Sequence, residues 1–285
     1  MEKLILAKEG VFPVVKDWNG ELLEDTPKTG LQIPGTIQGE GKLAGVPSLF
    51  IRFSGCNLRC IWQMEDGTYS RCDTRYASFQ PNETIELEVD KVVDWVRHNL
   101  GNTKHVVITG GEPLLQKRAL SQLCQKLKEQ LQVHITIESN GSIYDADVAA
   151  WVDLFSISPK LSNSVPNADK LAMFGLKEGV VFRKHNQTRL NIEALQSYID
   201  LCNTSDKELQ LKFVVGRKED YKEIQADFIG QLNNCKASDI LLMPLGATKV
   251  EISRSSPMVL KMAIENGWRF SPRVHIELFG SKSGV

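Results

Sequence analysis

His105-Val106-Val107-Ile108-Thr109-Gly110-Gly111-Glu112-Pro113 is a short apolar, β-branched run that ends abruptly in two glycines, a glutamate and a proline. The run predicts a buried strand, and the glycines and proline predict a tight exit from it. Beyond the turn, Leu120, Leu123, Cys124, Leu127 and Leu131 recur at helical spacing. Upstream, Val89, Val92, Val93, Val96 and Leu100 show the same period, closed by Gly101. Strand-like runs return at 133–138, 154–158, 209–215, 240–243 and 274–279, and further helices are predicted over 192–202, 221–232 and 258–266. This alternation predicts an α/β fold: a parallel sheet with crossover helices, curled into a partial or complete barrel.

In such a barrel, chemistry is built at the C-terminal ends of the strands. Gly110 to Pro113, Ser139-Asn140, Ser158-Pro159-Lys160, Gly216-Arg217 and Pro244 all stand at those ends. The apolar run Pro47 to Phe53 leads into another such loop, Gly55-Cys56-Asn57-Leu58-Arg59-Cys60-Ile61-Trp62, completed later by Cys72-Asp73-Thr74. Thiolates gathered on one loop suit zinc or an iron–sulfur cluster. Either normally takes four ligands, whereas this loop supplies three cysteines and no histidine. One metal corner would stay open, or a fourth ligand would come from elsewhere. Gly39-x-Gly41 lacks the Lys-Ser or Lys-Thr of a phosphate loop. Cys124, Cys202 and Cys235 fall in helix-like stretches and are expected as packing residues. His98, His105, His134 and His185 show no ligand spacing and are assigned to surface or packing.

An open iron beside a Gly-Gly-Glu-Pro turn resembles the radical S-adenosylmethionine (SAM) enzymes, and among them the 7-carboxy-7-deazaguanine synthases. The matching pieces are Ile37 to Gly41, Arg52, Gly55 to Cys60, Cys72 to Thr74, Thr109 to Pro113, Glu138 to Gly141, Ser158 to Lys160, Lys212 to Val215 and Arg273 to His275. The resemblance implies a partial (β/α)6 TIM-like barrel of the radical SAM type over 31–285, preceded by an N-terminal extension over 1–30. It implies that Cys56, Cys60 and Cys72 hold a [4Fe-4S] cluster and that Thr74 binds Mg2+. SAM would contact Gly110, Gly111, Glu112, Glu138, Ser139, Asn140, Ser158 and Lys160, with Glu112 near its ammonium. A pterin substrate would contact Gln38, Gly39, Glu40, Gly41, Arg52, Thr109, Gly111 and His275, and Val285 through its terminal carboxylate. No catalytic residue is implied beyond cluster and SAM. The implied reaction turns 6-carboxy-5,6,7,8-tetrahydropterin into 7-carboxy-7-deazaguanine and ammonia, with a flavodoxin- or ferredoxin-type electron donor and a homodimeric enzyme.

The chain departs from the family at one place. The usual spacing is Cys-x3-Cys-x2-Cys with an aromatic residue directly before the third cysteine, but here nine residues, Gln63 to Arg71, separate Trp62 from Cys72. They are expected to loop out through the polar turn Glu65-Asp66-Gly67. Two other readings use the same cysteines: a different small radical SAM enzyme, such as a glycyl-radical activase, and a noncatalytic zinc-binding interaction protein.

With 285 residues, 42% of them hydrophobic, the chain can bury one large core. A net charge of -1 with dispersed lysines and arginines gives no electrostatic track for a nucleic acid. The N-terminal apolar stretch is too short for a signal peptide and no later one approaches a membrane span, so a cytoplasmic protein with reduced thiols is expected. Residues 1–30 read as turns and short strands, either a hairpin or arm onto a partner subunit or a loosely packed terminus.

Overall fold

The computed structural model describes residues 2–64, 66–78, 83–282 and 284–285. Strands β1 (Lys3–Phe12), β2 (Thr36–Ile37) and β3 (Pro47–Phe53) come first, then the hairpin β4 (Ile61–Gln63) and β5 (Tyr69–Arg71), the short helix α1 (Arg75–Ser78) and β6 (Thr84–Glu88). After α2 (Val89–Asn99) the chain alternates: β7 (His105–Gly110), α3 (Lys117–Lys126), β8 (His134–Ser139), α4 (Ala146–Ala149) and β9 (Leu154–Ile157). Three helices, α5 (Ala168–Met173), α6 (Val180–Thr188) and α7 (Ile192–Asn203), then lead to β10 (Glu208–Val215). The order closes with α8 (Asp220–Glu223), β11 (Ile240–Pro244), α9 (Lys249–Asn266), β12 (Arg269–Phe270) and α10 (Val274–Phe279).

The main sheet runs β12-β11-β10-β9-β8-β7-β3-β1-β6, and β3 through β12 along that path are parallel. Strand residues alternate between two faces. One face carries Ile51, Phe53, Ile108, Ile137, Ile157, Leu211 and Phe213, all in the main core. It packs on Val92, Val93 and Val96 of α2, Leu120 and Leu123 of α3, and Leu195 and Ile199 of α7. Truncating one such side chain to alanine costs about 2–5 kcal/mol. The other face carries Arg52, Thr109, Glu138, Ser156 and Lys212, which line a cavity. Strand register sets Arg52 beside Thr109 and Glu138 beside Ser156, so this polar layer is fixed by backbone hydrogen bonds.

Four expectations change. The segment 1–30 is not simply turns and short strands, because β1 pairs antiparallel with both β3 and β6 and puts Leu4, Leu6 and Val11 into the main core. The stretch 274–279 is helical, and only Ile276 of it is buried; no strand pairs with it. Cys235 lies outside any helix, ahead of the short turn Ala237–Asp239. The nine residues before Cys72 form most of a hairpin, pairing Ile61 with Arg71, Trp62 with Ser70 and Gln63 with Tyr69. Of the turn Glu65-Asp66-Gly67, Glu65 lies outside the described residues, as does Ser283 of the C-terminal tail.

Candidate active site

The cysteine loop leaves β3 and runs beneath the Gly110-Gly111 turn. Gly111 N–H donates to the Phe53 carbonyl at 3.1 Å, and Glu112 N–H to the Gly55 carbonyl at 2.8 Å. A Cβ on Gly110 would strike the Phe53 backbone, and one on Gly111 the Gly55 carbonyl. Only glycine lets the two loops approach this closely. The hairpin β4–β5 then brings the third cysteine back: Cys72 N–H donates to the Cys60 carbonyl at 3.3 Å.

Cys56, Cys60 and Cys72 line one cavity of about 270 Å3 with most of the other expected residues. Burial pushes the Cys56 thiol up to about 12, and pushes Cys60 and Cys72 up as well. Burial thus disfavours the bare thiolates, and a bound metal would supply the compensating positive charge. Donors already face the sulfurs: Leu58 N–H lies 3.4 Å and Asn140 Nδ2 3.9 Å from Cys56 Sγ, and Thr74 Oγ1 lies 3.3 Å from Cys72 Sγ. Three thiols on one loop with polar groups turned to the sulfur fit a thiolate-bound cluster. Among the described residues no three His, Cys, Asp or Glu side chains converge on a single ion.

Next to the thiols, Gly110, Gly111, Glu138, Ser139, Asn140, Ser158 and Lys160 line the cavity, as does Thr74. Lys160 Nζ donates to Ser158 Oγ at 2.7 Å, and Asn140 Nδ2 to Asn57 Oδ1 at 2.9 Å. Glu112 is the exception. Its carboxylate is fully buried and accepts from Ser139 Oγ at 2.9 Å, Asn140 N–H at 2.8 Å and Leu114 N–H at 3.2 Å. Burial raises its pKa against the pull of those donors. Turned inward, it ties the glycine turn to the end of β8 and does not line the cavity.

On the far side, Gln38, Gly39, Glu40, Arg52, Thr109, His275 and Val285 line the cavity, whereas Gly41 does not. The Gly41 N–H donates to Ser271 Oγ at 2.9 Å, which turns it away. Gln38 Nε2 and Thr109 Oγ1 both donate to Glu138, at 3.1 and 2.8 Å. Arg52 lies over the Phe12 ring at 4.8 Å and faces the Tyr76 ring at 5.8 Å, and its buried Nε has no hydrogen-bond partner. An arginine held by two rings with an unsatisfied donor is ready for an anionic group.

Three charged residues were not among the expected contacts. Lys212 bonds one Glu40 oxygen, Arg273 Nε the other at 2.9 Å, and Arg273 Nη2 reaches Asp73 Oδ2 at 2.9 Å. Burial opposes the charge on Glu40, but Lys212, Arg273 and His275 outweigh it and hold the carboxyl below its usual range. His275 sits 3.9 Å from Glu40, and its ring fills the space that a side chain on Gly39 would need. Beneath the cysteine loop, buried His185 accepts from Arg59 N–H through Nδ1 at 3.0 Å and contacts Ser164 Oγ through Nε2 at 3.2 Å. It packs the loop from below, and no spacing in the sequence marks it.

The radical SAM superfamily model matches residues 50–160. A 7-carboxy-7-deazaguanine synthase from Halobacterium salinarum is 36% identical over 249 residues, covering 86% of this chain and 87% of that protein. One from Rhodopirellula baltica is 35% identical over 248 residues, covering 87% of this chain and 85% of that protein. The crystal structure of QueE from Escherichia coli shares the fold with a TM-score of 0.55 and 22% identity, covering 85% of this chain and 91% of that one.

Proposed function

The chain belongs to the 7-carboxy-7-deazaguanine synthase family of radical SAM enzymes, and from that premise we propose that it converts 6-carboxy-5,6,7,8-tetrahydropterin to 7-carboxy-7-deazaguanine with release of ammonia, a carbon–nitrogen lyase step of deazapurine (queuosine) biosynthesis. Family membership implies a [4Fe-4S] cluster and SAM. When bound, they supply the one-electron cleavage of a carbon–sulfur bond that starts radical chemistry on the substrate.

The observation that carries the reading is the shared cavity. Three thiols open on one side of it, and Arg52, Gln38, Thr109 and the Glu40 cluster on the other. Arg52 would take the substrate carboxylate, and Glu40 the guanidine-like edge of the pterin, each through charge-assisted hydrogen bonds. Gly110, Gly111, Ser139, Asn140, Ser158 and Lys160 would hold SAM between them. The protein's work is placement: it sets one C–H bond against the reactive carbon and keeps water out. Thr74, beside Cys72, would give Mg2+ one hydroxyl ligand alongside substrate oxygens and water, as suits a hard, hydrated cation. A flavodoxin- or ferredoxin-type donor, a homodimer and a cytoplasmic location are proposed from the family. No helix among the described residues is long and apolar enough to cross a membrane.

The test is anaerobic turnover with reconstituted protein, SAM, a strong reductant, Mg2+ and the pterin, with the deazapurine followed by mass spectrometry. Product that depends on every component is expected. 5′-Deoxyadenosine without deazapurine would sink the substrate assignment and leave the radical SAM chemistry standing. Cys60→Ala is expected to abolish SAM cleavage, and Thr74→Ala to weaken the Mg2+ dependence while iron content holds.

A further inference from the structure

We propose that Arg273 is a positioning residue that links the substrate end of the cavity to the cysteine loop, so that the state of Glu40 is felt at Asp73, between the third cysteine and Thr74. The proposal rests on the functional reading above and adds to it a coupling between pterin binding and SAM cleavage.

Arg273 joins three separate segments. Its Nε donates to Glu40 Oε1 at 2.9 Å, its Nη2 to Asp73 Oδ2 at 2.9 Å, and its Nη1 to the Gly246 carbonyl. A guanidinium holds its acceptors in one rigid plane, so a shift at one corner turns the others. The segment is also fastened to the substrate loop through its neighbours. Val274 N–H donates to the Gly39 carbonyl at 2.9 Å, and the His275 ring lies where a Gly39 side chain would be. Residues 273–275 therefore move with Gly39 and Glu40.

Glu40 has no idle oxygen. Lys212 bonds Oε2 and Arg273 bonds Oε1, both in a largely buried setting. A ligand that presents a donor edge to Glu40 must share or displace one of these cations, and displacement at Oε1 moves the guanidinium that holds Asp73. Asp73 lines the cavity, and against the burial there Arg273 holds its carboxyl below the usual range. Its place, flanked by Cys72 and Thr74, gives it leverage on the loop.

The test compares wild type, Asp73→Asn, Arg273→Lys and the double variant, each reconstituted to the same iron content. Two quantities are read: the ratio of 5′-deoxyadenosine released to deazapurine formed, and the change in the electron paramagnetic resonance spectrum of the reduced, SAM-bound cluster when pterin is added. Asp73→Asn is expected to keep its iron content and thermal midpoint, to lose most of the pterin-induced spectral change, and to raise the ratio several-fold. Arg273→Lys, which keeps the charge but not the fork, is expected to do the same and also to raise the KM for the pterin. The double variant should be no more uncoupled than Arg273→Lys, as for residues acting through one another. Wild-type ratio and spectral response in Asp73→Asn, or additive effects in the double variant, would overturn the proposal alone. A wild type that makes no deazapurine would overturn the functional reading and this proposal with it.

Discussion

Lys212 sits in Leu209-Gln210-Leu211-Lys212-Phe213, a strand that is otherwise apolar at every second position. Polar groups at period two in a buried strand face a polar interior, and Gln210 and Lys212 do. The same face carries Arg52, Thr109 and Glu138, so the strand-borne part of the polar lining could be read from alternation, whereas Glu40, Asp73 and Arg273 stand off the strands and could not. His185 could not, because its role comes from contacts with Arg59 and Ser164 that the chain makes only when folded. Burial, then Arg189, Lys170, Lys160 and Arg59, push its pKa down to about 3, while burial and His134 bring His105 to about 4. In the unfolded chain both titrate near 6.5. As pH falls below that value the unfolded chain takes up protons that the native state refuses. Stability from these two residues is therefore complete above pH ~6.5 and is lost toward pH ~4, at about 1.4 kcal/mol per pH unit for each histidine. Urea midpoints at pH 7.5 and 5 should converge in His185→Gln relative to wild type, even though the variant is weaker at pH 7.5. An unchanged gap would mean that His185 does not titrate between the two states.

The hairpin β4–β5 shows why ligand spacing can mislead. Along the chain Cys72 is remote from Cys60, but an antiparallel pair returns to where it began, and the two cysteines end as backbone neighbours. Asp66-Gly67 between Ile61-Trp62 and Tyr69-Ser70 is a hairpin signal by composition. The expectation of a loop that swings out took the polar turn and missed the strands beside it. Asn163, buried on the 3₁₀ turn Ser162–Ser164, anchors the hairpin by accepting from Gln63 N–H at 3.1 Å and donating to its carbonyl at 3.0 Å. Asn163→Ala leaves both backbone groups without their partner and should cost about 1–3 kcal/mol. It should also lower iron and sulfide bound per chain after reconstitution, because the hairpin sets where Cys72 stands. Arg254→Ala, which removes the exposed pair with Asp66 at 3.4 Å and leaves the turn's own hydrogen bonds in place, should change neither quantity. Full iron loading in Asn163→Ala despite a lower thermal midpoint would mean that the hairpin does not position the third thiol.

At the scale of the molecule, the alternation of strands and helices from 89 onward was readable because each unit carries its own periodicity. The helices α5 and α6 escaped it. They bury only Lys170, Leu171 and His185, so they lack an apolar stripe. β1 escaped for the opposite reason: its partners β3 and β6 lie far along the chain, and a register shift between Leu6 and Val11 breaks its alternation. Yet β1 sits between β3, which leads into the cysteine loop, and β6. Its Leu4, Leu6 and Val11 are fully buried, and Ser54 N–H, at the start of that loop, donates to the Ile5 carbonyl at 3.0 Å. Deleting residues 2–12 would bare one ladder edge of β3 and the apolar face beneath it, a template for aggregation. The shortened chain should lose its cooperative thermal transition and pellet on expression. Lys3→Ala, which breaks only the exposed pair with Glu86 at 2.7 Å, should match wild type in both respects. A shortened chain that kept the wild-type midpoint would make β1 peripheral, and the sheet would then begin at β3.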